Sequence, residues 1–401
     1  MSATNTHRPK AAAWLLLVSI GLIALTMRGP FVAVAPLARP LSADLNLSPG
    51  ALGLLTGIPV LCFALASPLA SLSARRFGAE VAATLTLAGV LAGVVVRSLD
   101  GTAVVMIGTV LIGVAITIGN IAVPLLIRRD FTPARQGMAM GVYTASLNVG
   151  SFITSVASAP LADALGWRLA LASSSLFAVV ALAFWAAAVG VRRAVVPEPV
   201  APEQSTVHDG GRRRGVTVIV ALVVGFGGQA FSYYGVTAWL PSLLTDELGL
   251  SSTAAGAGAS LFQILAIIGA LGTPLLSRRY GTTTAVVTLG VLWLAVPLGL
   301  LAAPGLWPLW SSFGGAAQGG GITLIFTAIL AIARDQAAAG RMSAIVQGVG
   351  YAFGAIAPTL VGSVRAAVGS WTVPLLVVVG SVLCFIVGTL VGLRTAAHHR
   401  A

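Results

Sequence analysis

The sequence has little charge and almost no residues suited to metal or covalent chemistry. Charged residues make up 8% of the 401 positions and apolar residues 57%, whereas about a quarter of a soluble domain is charged. The two cysteines lie in separate apolar runs, and the four histidines lie in the tails and the predicted linker. We therefore expect an integral membrane protein that is not an enzyme and has no disulfide framework, metal site or cofactor.

The formal net charge of +12 comes from arginines at the ends of apolar runs. Because they form no face of their own, they do not predict a nucleic-acid partner. With the N-terminus in the cytoplasm, nearly all loop and tail Lys and Arg residues fall on that side; the exceptions are Arg39, Arg97, Arg168 and Arg365. The positive-inside rule predicts an inner-membrane protein with both termini cytoplasmic.

Apolar runs of membrane-spanning length occur twelve times and predict an all-α protein with twelve transmembrane helices. They cover roughly 12–36, 51–74, 81–97, 102–127, 137–160, 169–191, 216–241, 254–277, 282–303, 308–333, 343–364 and 371–393. We predict a six-helix bundle over 1–191, a cytoplasmic linker over 192–215 and a second bundle over 216–401.

Four short markers occur in both halves at a spacing of about 204 residues. They are Leu47-Ser48 with Leu250-Ser251, Arg75-Arg76-Phe77-Gly78 with Arg278-Arg279-Tyr280-Gly281, Arg129-Asp130 with Arg334-Asp335, and Trp167 with Trp371. Two pseudo-symmetric six-helix repeats with a site near the membrane midplane are typical of transporters of the major facilitator type. One chain is sufficient for this plan, and we expect a monomer.

Arg28 is the one charged side chain that the hydropathy pattern leaves inside a predicted span. A charge at that depth costs about 2.5–3.5 kcal/mol on insertion scales, so it marks a functional site by default. The alternative is a structural arginine that snorkels or pins the helix. Pro30 predicts a local break beside the charge, and the repeat places Tyr233 or Tyr234 opposite Arg28.

Other polar side chains at membrane depth are further candidates for substrate binding. They are Asn120, Tyr143, Asn148, Gln229, Tyr233, Tyr234, Gln263, Gln318, Gln347 and Tyr351. Such side chains also hold helices together, for about 0.6 kcal/mol per contact, and that alternative stays open for each. One arginine among amides and phenols fits a small monoanion or compact dipolar molecule better than a phosphate dianion, which favours paired arginines.

Four segments carry a resemblance to a known family: MRGPF, GNIAVPLLIRRDF, GMAMGVYTASLNVG and MSAIVQGVGYAFGAIAPTLVG. The chain resembles the cyanate and 2-nitroimidazole transporter branch of the major facilitator superfamily over nearly its whole length. The resemblance implies a single-chain secondary carrier of small anions or nitrogen-rich heterocycles. It also implies that Arg28 is the family's helix 1 arginine, and that Gln347 and Tyr351 are its helix 11 polar pair.

Paired charges at the predicted cytoplasmic ends are candidates for gating or coupling: Arg76, Arg129, Asp130, Arg279, Arg334 and Asp335. The superfamily's loop between helices 2 and 3 carries an acid, but this chain has Arg75-Arg76 there. The missing carboxylate must come from Glu80, Asp130 or Asp335. Simple positive-inside anchoring is the alternative for each pair.

These observations predict an alternating-access carrier in the lipid bilayer for a cyanate-like anion, a small carboxylate or a nitroimidazole. A co-transported proton and exchange for another anion both stay open as coupling. The first rival is a drug or metabolite exporter of the same fold in which Arg28 is structural. The second is a transporter-like receptor that binds a ligand without moving it.

Overall fold

The computed structural model describes residues 10–197, 212–333 and 336–397, and within these ranges it contains helices and no strand. The first six long helices are α1 (Lys10–Val32), α2 (Pro49–Leu65 continuing as Ser67–Phe77), α3 (Ala79–Arg97), α4 (Thr102–Asp130), α5 (Pro133–Leu165) and α6 (Trp167–Ser173 continuing as Ser175–Val189). The second six are α7 (Arg212–Leu248), α8 (Ser252–Ile264 continuing as Ala266–Tyr280), α9 (Thr282–Ala302), α10 (Trp307–Ile332), α11 (Gln336–Val368) and α12 (Thr372–Ala397).

The twelve-helix, all-α prediction is confirmed. In the described ranges, nine helical stretches are long and apolar enough to cross a membrane, or ten if the bent α2 counts as one span. The other two long helices are α5 and α10, which are rich in small and hydroxyl residues. The predicted linker 192–215 overlaps a short helix, Val191–Val195, and the start of α7, while residues 198–211 lie outside the described ranges.

The sequence markers shared by the two halves have local structural roles. The hydroxyls of Ser48 and Ser251 cap α2 and α8 by accepting hydrogen bonds from the backbone N–H of Ala51 and Ala254, at 3.2 Å in each case. Such capping satisfies a donor that the first helical turn leaves free. Gly78 and Gly281 end the paired arginine segments with φ of +86° and +88°, a conformation that favours glycine.

The two halves meet mainly through α2 against α11 and α5 against α8. Glycines allow this approach: a Cβ on Gly53 or Gly57 would lie 2.5 Å from the carbonyl oxygen of Pro358 or Ala355, respectively. Small residues at helix contacts are the usual means of close packing in membranes. We call this end of the bundle the sealed end, and the end that carries the segment between the halves the linker end.

A break in α2 separates the piece at the sealed end from the piece nearer the linker end. The pieces Pro49–Leu65 and Ser67–Phe77 differ in direction by 59°. The first piece packs on α11, whereas the second packs on α3 and α4 of its own half. The halves are therefore closed at the sealed end, and α2 turns away from α11 toward the linker end.

Candidate substrate site

Arg28 joins the two halves near the middle of the bundle. Its Nη1 donates a hydrogen bond of 3.1 Å to the hydroxyl of Tyr233 on α7, and its Cζ lies 5.3 Å from the centre of the same ring. Tyr233 is buried, whereas Arg28 keeps some exposure. A cation over a phenol ring is stabilised by about 0.5–2 kcal/mol, more as water is removed. The predicted opposition of Arg28 and a phenol from the second repeat is present in the structure.

The hydroxyl of Tyr233 extends the hydrogen-bond network from Arg28 into the C-terminal half. The Tyr233 hydroxyl donates to Oε1 of Gln263 at 3.3 Å, and Nε2 of Gln263 donates to Oγ1 of Thr237 at 3.4 Å. The Tyr233 oxygen thus accepts from the guanidinium and donates to the amide. We refer to Arg28, Tyr233, Gln263 and Thr237 as the arginine chain.

Aromatic rings form the surroundings of the cation. The ring of Tyr233 lies against Arg28, its centre is 4.8 Å from that of Tyr234, and the Tyr234 ring is 6.5 Å from that of Tyr351. Among the described residues, no carboxylate pairs with Arg28. The guanidinium therefore lies among phenols with no anionic partner, so its charge is available to a ligand.

Helix packing holds Arg28 in this position. A Cβ on the adjacent Gly29 would lie 2.7 Å from Oγ1 of Thr154, so α1 and α5 are in close contact here. Although Pro30 follows, α1 continues to Val32 before a 3-10 turn at Ala35–Leu37. The irregularity predicted beside the arginine instead follows the proline by a few residues.

Two predicted residues on α7 and α10 bond inside the C-terminal half. Gln229 accepts a 2.7 Å hydrogen bond from Nε1 of Trp293 and donates one of 2.9 Å to the backbone oxygen of Gln318. The Gln318 side chain donates to the backbone oxygen of Phe262 at 3.5 Å. Both amides are fully buried, and the role their contacts support is helix packing.

The predicted residues of the N-terminal half form a second polar group. The Tyr143 hydroxyl donates to Oδ1 of Asn120 at 3.2 Å. Asn148 donates from Nδ2 to the backbone oxygen of Thr144 at 2.9 Å. Its Oδ1 is buried and has no partner within the described part of the chain.

The α11 pair and Tyr234 contribute mainly aromatic surface. Tyr351 lies 5.4 Å from Phe63 of the other half, measured between ring centres, and 6.5 Å from Tyr234. Gln347 donates to Oγ of Ser343 at 2.6 Å. The rings of Phe63 and Tyr351 therefore join the two halves on the linker-end side of the α2–α11 glycine contact.

At the linker end, Arg129 binds two carboxylates. It contacts both oxygens of Glu80 on α3, at 2.9 and 2.5 Å, and both oxygens of its neighbour Asp130, at 3.0 and 2.8 Å. Of the candidate acids, Glu80 and Asp130 both pair with Arg129 inside the N-terminal half, and a role of either in gating stays a prediction. Such bidentate pairs are stronger than simple ion pairs.

The other gate candidates are less informative. Arg76 and Arg279 are exposed, with Cζ 6.0 and 5.4 Å from the rings of Phe77 and Tyr280. Arg334 and Asp335 lie outside the described residues. The predicted pseudo-symmetric pair at this end therefore has a described geometry only in the N-terminal half.

The sealed end holds two related clusters that sequence reasoning missed. Asp44 accepts from Nε1 of Trp167 and pairs with Arg168, at 3.2 and 2.9 Å. Asp246 accepts from Nε1 of Trp371 at 3.1 Å and pairs with Arg365 at 3.4 Å. The repeated Trp167 and Trp371 were the sequence signal for both clusters.

Each cluster has one further ion pair. Arg168 also binds Asp100 at 2.6 Å, and its hydrogen bond lowers the pKa of the Asp100 carboxyl. In the second cluster, Asp246 also pairs with Arg39 of the N-terminal half, at 3.0 Å. The second cluster therefore connects the two halves, whereas the first lies within one half.

The structure adds a buried arginine that the hydropathy pattern did not single out. Arg97, at the end of α3, is completely buried, and its three side-chain nitrogens have no partner among the described residues. Gly108 allows the α4 backbone to come close, since a Cβ there would lie 2.7 Å from Cα of Arg97. Hydropathy placed Arg97 outside the membrane because it ends an apolar run, a pattern that contains no information about burial against a neighbour.

Twelve helices in two repeats, with Arg28 at their interface and no described carboxylate paired with it, define a multi-pass membrane transporter. The family model described as Major Facilitator Superfamily matches residues 16–358. The chain belongs to this superfamily, as the sequence segments predicted.

Two relatives support the predicted branch of the family. The 2-nitroimidazole transporter of Escherichia coli (strain K12) is 33% identical over 384 residues, which cover 94% of this chain and 95% of the relative. Cyanate transport protein CynX of the same strain is 27% identical over 372 residues, covering 91% and 94%. Both relatives are transporters, in agreement with the expectation that this protein is not an enzyme.

A solved structure supports the fold. The crystal structure of a bacterial homolog to the human lysosomal transporter Spinster, in an inward-facing and unoccupied conformation, matches with a TM-score of 0.69. The match covers 97% of this chain and 98% of that chain at 14% identity. At this identity the likeness establishes the fold alone.

Proposed function

We propose that this transporter carries a small monoanion or a compact dipolar molecule by alternating access, with Arg28 and Tyr233 as the binding pair. The proposal is based mainly on the 3.1 Å contact between these residues across the two halves. No described carboxylate neutralises the charge of Arg28. A ligand bound there touches both halves at once. Its binding is therefore coupled to their relative movement.

The chemistry of the site limits the substrate. A single planar guanidinium accommodates one carboxylate, cyanate-like or nitro group, whereas the surrounding phenols and amides offer hydrogen bonds without charge. Organic cations are disfavoured because no described acid offsets Arg28. The names of the two relatives, which specify 2-nitroimidazole and cyanate, agree with this range.

Orientation and coupling complete the proposal. The distribution of Lys and Arg supports an inner-membrane protein with residues 192–215 and both termini in the cytoplasm. Because one chain contains both six-helix halves, we propose that it acts as a monomer. Moving a monoanion inward opposes an inside-negative potential by about 2.3 kcal/mol per 100 mV. Net uptake then requires a co-moving proton, exchange for another anion, or consumption of the substrate inside.

Ligand-induced thermal stabilisation of the detergent-solubilised protein tests this function. A ligand that binds the folded state raises apparent stability by RT ln(1 + [L]/Kd), whatever the coupling ion. The panel contains cyanate, nitrate, small carboxylates, nitroimidazoles and neutral azoles, with Arg28→Gln measured alongside. We expect stabilisation by an anionic or nitro compound that disappears in the variant.

Two other outcomes decide against the proposal. Stabilisation by neutral or apolar compounds alone, unchanged in Arg28→Gln, assigns the arginine a structural role and favours an exporter. Binding without any flux in proteoliposomes favours a receptor.

A further inference from the structure

Asn148 on α5 has a buried acceptor to which none of the described residues donates. The side chain is 4% exposed, and its Nδ2 donates to the backbone oxygen of Thr144 at 2.9 Å. That bond fixes the amide orientation, because the oxygen could not donate to a carbonyl. Oδ1 is left buried and unpartnered, an arrangement that ordinarily costs about 1–3 kcal/mol.

The packing of α5 on α8 shows where this oxygen lies. The Ser155 hydroxyl donates to the backbone oxygen of Gly256 at 3.0 Å, and the two helices run in opposite directions. Asn148 is seven residues before Ser155, and Gln263 is seven residues after Gly256. Seven residues are about two turns, so Asn148 and Gln263 lie at the same level on facing sides of the two helices.

Gln263 belongs to the arginine chain, since its Oε1 accepts from Tyr233 and Tyr233 accepts from Arg28. The register therefore places Asn148 on the face of α5 that packs against the other half, at the level of the proposed binding pair. The interface offers a ligand two different groups there: the guanidinium of Arg28, which donates, and the oxygen of Asn148, which accepts.

We infer that Asn148 is a specificity-determining residue that accepts a hydrogen bond from the transported molecule. This inference rests on the proposed function and narrows its substrate class. The substrate carries an acceptor or anionic group for Arg28 and, beside it, an N–H or O–H donor for Asn148. Molecules without a donor, such as cyanate and nitrate, satisfy only half of the site.

Two pairs of probes isolate the donor. Pyrrole-2-carboxylate and furan-2-carboxylate share charge and shape, but only the pyrrole has an N–H. 2-Nitroimidazole and its 1-methyl derivative form a second pair, in which the methyl group removes the N–H. Thermal stabilisation gives Kd for each compound with the wild type, Asn148→Leu, Gln136→Leu and Arg28→Gln.

We expect the wild type to bind the N–H member of at least one pair about tenfold or more tightly, because the other member leaves the acceptor unpaired. Asn148→Leu, close in size, is expected to lose this preference by weakening binding of the N–H compound alone. Gln136→Leu removes an amide on the same helix whose nitrogen bonds the backbone oxygens of Arg128 and Phe131 at the linker end, and it is expected to keep the preference.

Equal binding of both members of each pair by the wild type overturns the inference and assigns the oxygen to a trapped water. The wild-type measurement stands even if Asn148→Leu does not fold. If Asn148→Leu folds and keeps the preference, a different residue accepts the hydrogen bond from the ligand, and the inference also fails. When both members bind equally and Arg28→Gln loses both, the proposed function survives alone. If no probe binds the wild type, both fail.

Discussion

Arg39 and Asp246 form a 3.0 Å ion pair that links the two halves at the sealed end. The residues are 207 positions apart in the sequence. In the N-terminal half, the corresponding acid, Asp44, bonds only within its own half in the contacts described above. The pseudo-symmetry of the chain is thus broken at the point where the halves must separate for the sealed end to open.

Removing this pair should favour opening of the sealed end. Exposed ion pairs contribute about 0.2–1 kcal/mol, so Arg39→Gln should raise the open population by at most about fivefold. Labelling of an introduced Ser155→Cys thiol by a membrane-impermeant reagent measures this exposure. Asp44→Asn disrupts the matching cluster without a cross-half bond and should leave labelling unchanged. Equal effects of the two substitutions would contradict the conclusion that the Arg39–Asp246 ion pair holds the halves together.

Arg28→Gln should strongly weaken ligand binding and transport, because it removes the one cation of the proposed site. Charge-assisted hydrogen bonds contribute about 1.5–3 kcal/mol, which corresponds to roughly a ten- to hundredfold weaker Kd. Arg28→Lys should retain part of the binding, since a point charge replaces a planar fork. Proteoliposome flux and thermal stabilisation check both variants, and normal transport by Arg28→Gln would refute the central role of this residue.

Tyr233→Phe should cause a milder defect. The ring over the guanidinium is kept, but Arg28 loses its acceptor and Gln263 its donor. Each such bond is worth about 0.5–1.5 kcal/mol, so we expect a Kd up to about tenfold weaker. A defect as large as that of Arg28→Gln would contradict the smaller contribution to binding expected of the hydroxyl.

Arg97→Met should raise thermal stability. The guanidinium of Arg97 is buried without a described partner, and an apolar side chain of similar length removes its desolvation cost of about 1–3 kcal/mol. Arg168→Met is the matched control, because it removes a paired, partly exposed arginine and should not stabilise. A lower melting temperature for Arg97→Met would mean that the guanidinium has a partner in another conformation of the carrier.

The sequence predicted the features that depend on local pattern or on the repeat. Hydropathy placed all twelve helices, and the repeated Ser48 and Gly78 coincide with a cap and a turn. The same repeat set a phenol opposite Arg28, because residues at corresponding positions of two related halves approach each other across the pseudo-symmetry axis.

Features that depend on contact between distant residues were not predictable in this way. The burial of Arg97 depends on Gly108 in the next helix, and the Arg39–Asp246 pair depends on how the halves meet. Gln229 was indistinguishable from a site residue in the sequence, since the partners that occupy its amide, Trp293 and Gln318, come from other helices. Helical spacing defines the face of a side chain but not what that face touches.

The contact of Gly53 and Gly57 with α11 has a consequence for how the carrier closes. Backbone meets backbone there, so the barrier itself contains no group that titrates or that salt can screen. The strength of this contact depends on shape, and a single methyl group added to either glycine would hold the two helices apart. Closure of the sealed end by this contact should therefore tolerate changes of pH and ionic strength, whereas the ion pair between Arg39 and Asp246 should weaken as salt increases.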